Sequence, residues 1–184
     1  GGVNKALLRI RGRSIVERVR DVLAGIFPEV IVITNSPEEF AFLGLPMFGD
    51  LMPGKGSLGG LYTGLKACTG THGFLVGCDM PFLHREVMLH MERLIGDHDV
   101  VIPKIGGHWE PLHAIYSRRC LPVVEEVLDR GELRIFSFFD YVDVCEVPDT
   151  DLARFDSRFL FTMNVNTPED LARARSLADE LEAV

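Results

Sequence analysis

Short apolar runs of strand length alternate with capped, amphipathic helical stretches along most of the chain, and this alternation restricts the fold more than any other feature. Ile15, Val16, Val19, Val22, Leu23 and Ile26 fall at helical spacing behind Ser14 and Glu17, an S-x-x-E pair that satisfies the free amides of a helix start. A helix is expected over 14–26. Residues 30–34 form a mostly β-branched run, and Ser36-Pro37-Glu38-Glu39 repeats the capping signal with Pro at the first helical position. Further strands are expected at 45–49, 74–78, 99–103, 142–147 and 159–165, and further helices at 59–68, 84–95, 118–129 and 133–138. Residues 51–58 read as a Gly/Pro loop, while 105–109 and 111–116 flank turn residues in the manner of a hairpin. Thr167-Pro168-Glu169-Asp170 caps a last helix, in which Leu171, Ala174, Ala178 and Leu181 make one stripe. Strands and helices in this order predict βαβ units: an α/β fold with a mostly parallel sheet covered on both faces. The 184 residues contain no repeat and no linker, so one domain spanning 1–184 is expected.

The acids outnumber the bases, with a formal charge of -8, and the bases do not cluster, which argues against nucleic acid or a membrane surface as partner. No apolar run approaches the roughly 20 residues that span a bilayer, and no secretory signal opens the sequence. Cys68, Cys78, Cys120 and Cys145 form no C-x-x-C and no zinc ribbon, and read as reduced thiols of a cytoplasmic protein.

In an open parallel sheet, ligands bind beyond the carboxyl ends of the strands, so the polar residues that end strands are the candidates. These are Asn35, Asp50, Asp79, and Asn164 with Asn166. Asp79 follows an apolar run and precedes Met80-Pro81, and a lone carboxylate there suits a Mg²⁺ ion that keeps most of its waters. Residues 49–55 fit G-x-x-x-x-G-K, but Gly56 stands where a P-loop needs Ser or Thr. Gly54, Gly56 and Gly59 also fit G-x-G-x-x-G, yet a dinucleotide site would leave Lys5 and Asn35 without a role. His72, His84, His90 and His98 have no carboxylate or Cys at ligand spacing, His108 and His113 fall on opposite faces of an extended segment, and all six are expected at the surface or at caps; no Ser sits in G-x-S-x-G.

Five stretches carry a resemblance. Gly2-Val3-Asn4-Lys5-Ala6-Leu7-Leu8 resembles the end of the L-A-G-G-x-S-x-R-M-G-x-[DN]-K-A-L signature of nucleotidyltransferases. Gly56-Ser57-Leu58-Gly59-Gly60-Leu61 is similar to G-P-L-A-G-[LI], Cys78-Asp79-Met80-Pro81-Phe82 to C-D-M-P-F, and Glu110-Pro111-Leu112-His113-Ala114-Ile115-Tyr116 to Q-P-L-x-A-[VL]-Y. Asn164-Val165-Asn166-Thr167-Pro168-Glu169-Asp170 is similar to N-[IV]-N-T-P-E-D. With these motifs in order, the chain resembles the molybdenum cofactor guanylyltransferase family.

The resemblance implies a Rossmann-like, three-layer α/β/α nucleotidyltransferase fold on which GTP and molybdenum-bound molybdopterin give the guanine dinucleotide cofactor and pyrophosphate, with Mg²⁺. By position it implies Gly2 and Lys5 at the triphosphate, Asn35 and Asp50 at the nucleoside, and Asp79 at the metal and phosphates. Lys5 and Asp79 would be the catalytic pair, and Asn164 and Asn166 would lie at the pterin or support the site. Molybdoenzymes and other molybdenum cofactor biosynthesis proteins are the implied partners. The strand and Gly-rich segment that precede Gly2 in the family are missing from the expected domain, and Ser57 replaces the usual Pro, close to the Ser-Leu of relatives that use CTP. A guanine edge offers an N1–H and N2–H₂ donor pair that one carboxylate accepts together, so a carboxylate near the base favours guanine; Asp50 or backbone carbonyls of 57–60 could serve. A cytidylyltransferase, a guanylyltransferase with another phosphate acceptor, and a non-catalytic cofactor-delivery adaptor stay open as alternatives.

Overall fold

A computed structural model describes residues 4–182. A 3-10 turn at Lys5–Leu7 leads into a hairpin of two-residue strands, β1 (Arg9–Ile10) and β2 (Arg13–Ser14), too short to carry a periodic signal in the sequence. Ser14 then caps α1 (Ile15–Ala24) as its sequence demands: the hydroxyl accepts from the Glu17 N–H at 3.3 Å, and the Glu17 carboxylate accepts from the Ser14 N–H at 2.7 Å. There follow β3 (Val32–Ile33), α2 (Pro37–Phe40), β4 (Met47–Phe48), α3 (Gly56–Ala67), β5 (His72–Val76) and α4 (Arg85–Arg93). The second half contains β6 (Val100–Ile105), β7 (His108–Trp109), β8 (His113–Ser117), α5 (Leu121–Asp129), β9 (Val144–Pro148), α6 (Asp149–Leu152) and α7 (Pro168–Glu182).

The main sheet is mixed, not mostly parallel as expected. Its order is β5-β8-β6-β7, with β9 on the other side of β6. After β6 the chain reverses through Gly106 and Gly107, both with positive φ, so β7 runs back along β6. β8 then inserts between β5 and β6, antiparallel to both, instead of forming a hairpin with 105–109. Only β9 runs parallel to β6. β3 and β4 form a separate parallel pair.

The faces of β6 divide the core, as the two-residue period of a strand requires. Val100 and Ile102 pack with Leu58, Leu61 and Leu65 of α3 and with Val124, Val127 and Leu128 of α5. Val101 faces the other way, among Val87 and Met91 of α4, Ile115 and Phe161. A third cluster joins α1 to α7 through Ile15, Val19, Ala174 and Ala178. Each such fully buried Val or Leu contributes about 1.5–3 kcal/mol.

Three expected elements differ. Residues 159–165 are not a strand: Asp156 accepts the N–H groups of Arg158 (3.2 Å) and Phe161 (3.0 Å), which holds a 3-10 turn at Leu160–Thr162. Residues 133–138 are turns, because Phe138 and Phe139 leave helical register to bury their rings against Tyr116 and Trp109. Ser36 makes no side-chain cap, and α2 stops after four residues. One histidine also departs from expectation: His113 is wholly buried, packed edge-on to Phe74 and tilted against Phe161. The four cysteines are free thiols. Among the described residues, no helix is long and apolar enough to cross a membrane.

Candidate active site

The loop after β5 places Asp79. Gly77 N–H donates to the Leu112 carbonyl at 3.0 Å, which ties this loop to the segment entering β8. A Cβ on Gly77 would stand 2.7 Å from Asp79 Oδ1 and 3.2 Å from Met80 Cγ and Sδ, so a larger residue here would displace the Asp79 carboxylate or the Met80 side chain. The Asp79 carbonyl accepts from the Val165 N–H at 2.9 Å, so the segment between Asn164 and Asn166 lies against it. Asn166 Oδ1 in turn accepts from Lys5 Nζ at 3.0 Å. Lys5 heads a 3-10 turn whose cap is Asn4, with Asn4 Oδ1 accepting from the Ala6 N–H. Asn164 Nδ2 donates to the Thr162 carbonyl at 3.1 Å.

Asp170 fixes this arrangement from the start of α7. Its Oδ2 accepts from the N–H groups of Asn166 (3.0 Å) and Thr167 (2.9 Å), while Thr167 Oγ1 accepts from the Asp170 N–H (3.1 Å). These bonds, the Asn166 amide first, hold the Asp170 carboxyl below its ordinary pKa. In the segment before β8, burial raises the pKa of Glu110, opposed by His108.

A second group forms where β3 and β4 end. Asn35 Oδ1 accepts from the Asp50 N–H at 2.8 Å, and Asp50 Oδ1 accepts from the Met52 N–H at 2.9 Å and from Thr63 Oγ1 at 3.1 Å. The loop that follows presses onto α3: a Cβ on Gly59 would lie 2.9 Å from both the Met52 carbonyl and Lys55 Cβ.

Between β3 and β5 lies a cavity of about 730 Å³. Residues 30–35 wall one side and 71–76 the other, with α1 and α3 contributing Val19, Leu23, Leu61 and Leu65. Among the described residues, β3 pairs only with β4 and β5 only with β8, so each strand turns an unpaired edge to the cavity. Thr34, Asn35, Asp50 and Cys78 line it beyond the ends of β3, β4 and β5, with Ser57 at the start of α3, and Cys78 is next in the chain to Asp79.

Known proteins share this arrangement of elements. The MobA-like NTP transferase domain matches residues 1–144. The chain belongs to the MobA-like NTP transferase family. It is thus a nucleotidyltransferase. A probable molybdenum cofactor guanylyltransferase of Pelotomaculum thermopropionicum is 34% identical over 178 residues, covering 97% of this chain and 87% of that protein. The molybdenum cofactor guanylyltransferase of Desulfosudis oleivorans is 33% identical over 177 residues, covering 96% and 88%. The crystal structure of molybdopterin-guanine dinucleotide biosynthesis protein A from Archaeoglobus fulgidus superposes with a TM-score of 0.84 at 25% identity, covering 97% of this chain and 92% of that one.

Of the residues singled out in the sequence of this MobA-like chain, Lys5, Asp79, Asn164 and Asn166 come together, and Asn35 meets Asp50. Gly2 lies outside the described residues. Asn164 and Asn166 follow a 3-10 turn, not the strand expected to deliver them. Thr63 and Gly77 gave no signal of their own. Thr63 is one of two adjacent hydroxyl residues on the mostly apolar stretch of α3, beside Tyr62, and its bonds depend on how the loop folds over that helix.

Proposed function

We propose that this chain transfers GMP from GTP to the phosphate of molybdenum-bound molybdopterin and releases pyrophosphate. The observation that carries the reading is the meeting of three motifs at one point: the Asn164-Val165-Asn166 segment holds Lys5 through a side chain and Asp79 through the backbone. In the reaction an oxygen of the acceptor phosphate attacks the α-phosphorus of GTP, the bond from that phosphorus to the bridging oxygen breaks, and pyrophosphate carries the electron pair away. The acceptor phosphate is already anionic at neutral pH, so no general base is needed. The protein supplies alignment and charge. Lys5 would place its ammonium at the triphosphate, with Asn166 fixing its direction, and Gly2 would contribute beside it. Asn35 and Asp50 would hold the nucleoside, and Asn164 would lie toward the pterin.

Asp79 fits a divalent cation. Its carboxylate has no hydrogen-bond or ion-pair partner among the described residues, and no group of three or more acidic, His or Cys ligands gathers there. One carboxylate with substrate phosphates and water is a usual donor set for Mg²⁺. The bound ion would neutralise charge on the phosphates. Four unpaired thiols favour the cytoplasm, and a delivery role would bring molybdoenzymes or other cofactor biosynthesis proteins as partners.

The cavity supports the strand that the family signature places before Gly2. Two unpaired strand edges facing one apolar space fit one inserted strand, which would run through the middle of a three-layer α/β/α domain and bring the Gly-rich loop to the rim. Amide exchange at Ile33 and Phe74 tests it: in protein carrying the upstream segment these amides should be among the slowest, and fast exchange at both would rule the strand out. The activity is tested by pyrophosphate release from GTP, Mg²⁺ and molybdopterin. Release that requires the pterin and prefers GTP over CTP by about 10² in kcat/KM supports the reading. A CTP preference would move the chain to the cytidylyltransferases, and no release with either nucleotide would leave the adaptor.

A further inference from the structure

The chemistry at the cavity rim is more restrictive than a free carboxylate would be. Asp50 Oδ1 receives two donors, the Met52 N–H and the Thr63 hydroxyl, which fills both of its lone-pair directions. Asn35 must turn its oxygen toward the Asp50 N–H, so its amide nitrogen is the end left to donate. Among the described residues nothing bonds to Asp50 Oδ2 or Asn35 Nδ2. The rim therefore offers one acceptor and one donor, not the two-oxygen acceptor that would take both guanine donors together.

Thr63 sets this state. It is 1% exposed, on the face of α3 that meets the loop. Its hydroxyl accepts from the Leu51 N–H at 3.0 Å, and its single proton has two acceptors in reach: the Gly59 carbonyl at 2.9 Å and Asp50 Oδ1 at 3.1 Å. The Gly59 carbonyl stands four residues back in the helix, where the ladder already supplies it a donor. An ionised carboxylate is the stronger acceptor.

We infer that Thr63 is a positioning residue for nucleobase selection: by occupying Asp50 Oδ1 it presents Oδ2 alone, beside Asn35 Nδ2, to a base with a ring N–H next to an exocyclic oxygen. Guanine has that pair in N1–H and O6. Adenine and cytosine have the reverse, an amino group beside a bare ring nitrogen, and would face donor with donor and acceptor with acceptor. The inference rests on the reading that this rim takes the base of GTP.

The test is steady-state kinetics of Thr63→Val and Thr63→Ser with GTP and ATP, each with molybdopterin and Mg²⁺, on protein carrying the upstream segment. Thr63→Val keeps the shape and removes the hydroxyl. KM for GTP should rise about 10-fold with kcat within about threefold, and the GTP-over-ATP preference should fall about 10-fold; Thr63→Ser should restore both. A purely structural hydroxyl would lower melting temperature and activity with both nucleotides alike. If Thr63→Val does not fold, Thr63→Ala gives the same readout. A GTP-over-ATP ratio that stays within twofold of wild type in the folded variant overturns the inference alone. A wild-type enzyme with no preference among nucleotides overturns the functional reading and this inference together.

Discussion

Asp79 is held by its backbone, and among the described residues its carboxylate has no partner: its carbonyl is bonded to Val165 N–H, and the missing side chain of Gly77 leaves room for its carboxylate. Fixed placement with an unspent charge is what a group acting on phosphates or a cation needs. Asp79→Asn keeps the shape and removes the charge, so turnover should fall by about 10² or more while the melting temperature stays near that of wild type. Near-normal pyrophosphate release at saturating Mg²⁺ would remove Asp79 from the chemistry. Asp79 and Lys5 could be singled out as candidates in the sequence because each sits in a short motif whose letters survive without knowledge of the fold. Thr63 could not, because a hydroxyl on an apolar helix stretch looks the same whether it faces a backbone carbonyl or a carboxylate. The burial of His113 was not legible for a related reason: its ring packs against two phenylalanines that lie 39 and 48 residues away in sequence, and among the described residues neither ring nitrogen has a hydrogen-bond partner.

Elements differ in how much of themselves they write into the chain. α1 and α7 announce their starts through side chains that bond their own first turns, and both begin where those side chains say. The strands are legible as runs, but the alternation of a strand carries no direction. The reversal of β8 depends on a turn through Gly106 and Gly107 and on a gap between β5 and β6 that only the assembled sheet provides. The start of α7 also has a task beyond the helix, since Asp170 anchors the backbone of Asn166, the residue that aims Lys5. Asp170→Ala should lower the melting temperature and raise KM for GTP several-fold, with little change in KM for the pterin acceptor. A variant with the lower melting temperature but an unchanged KM for GTP would show that the cap serves the helix only.

For the whole molecule, the buried His113 links stability to pH. Burial depresses its pKa to about 3, against about 6.5 in an unfolded chain. Below pH 6.5 the unfolded state therefore takes up a proton that the native state refuses. Stability is lost as pH falls from about 6.5 toward about 3, at up to about 1.4 kcal/mol per pH unit, and this group has no effect above that window. Urea midpoints measured from pH 7 to pH 5 should drop more steeply for the native sequence than for His113→Leu. Identical slopes would mean that the imidazole gains a proton inside the fold. The mixed sheet, like this histidine, is a property of the assembled core and not of any one segment.

The bond from Lys5 to Asn166 joins positions 161 residues apart. Closing so long a loop is slow relative to forming local helices and hairpins, and nothing is gained until the last helix has docked. The proposed reactive centre would therefore be assembled at the end of folding, and a nascent or refolding chain should acquire its helices before it can handle a nucleotide. Regained pyrophosphate release should trail regained helical circular dichroism, so that activity reports whether the segments around Lys5 and Asn166 have met.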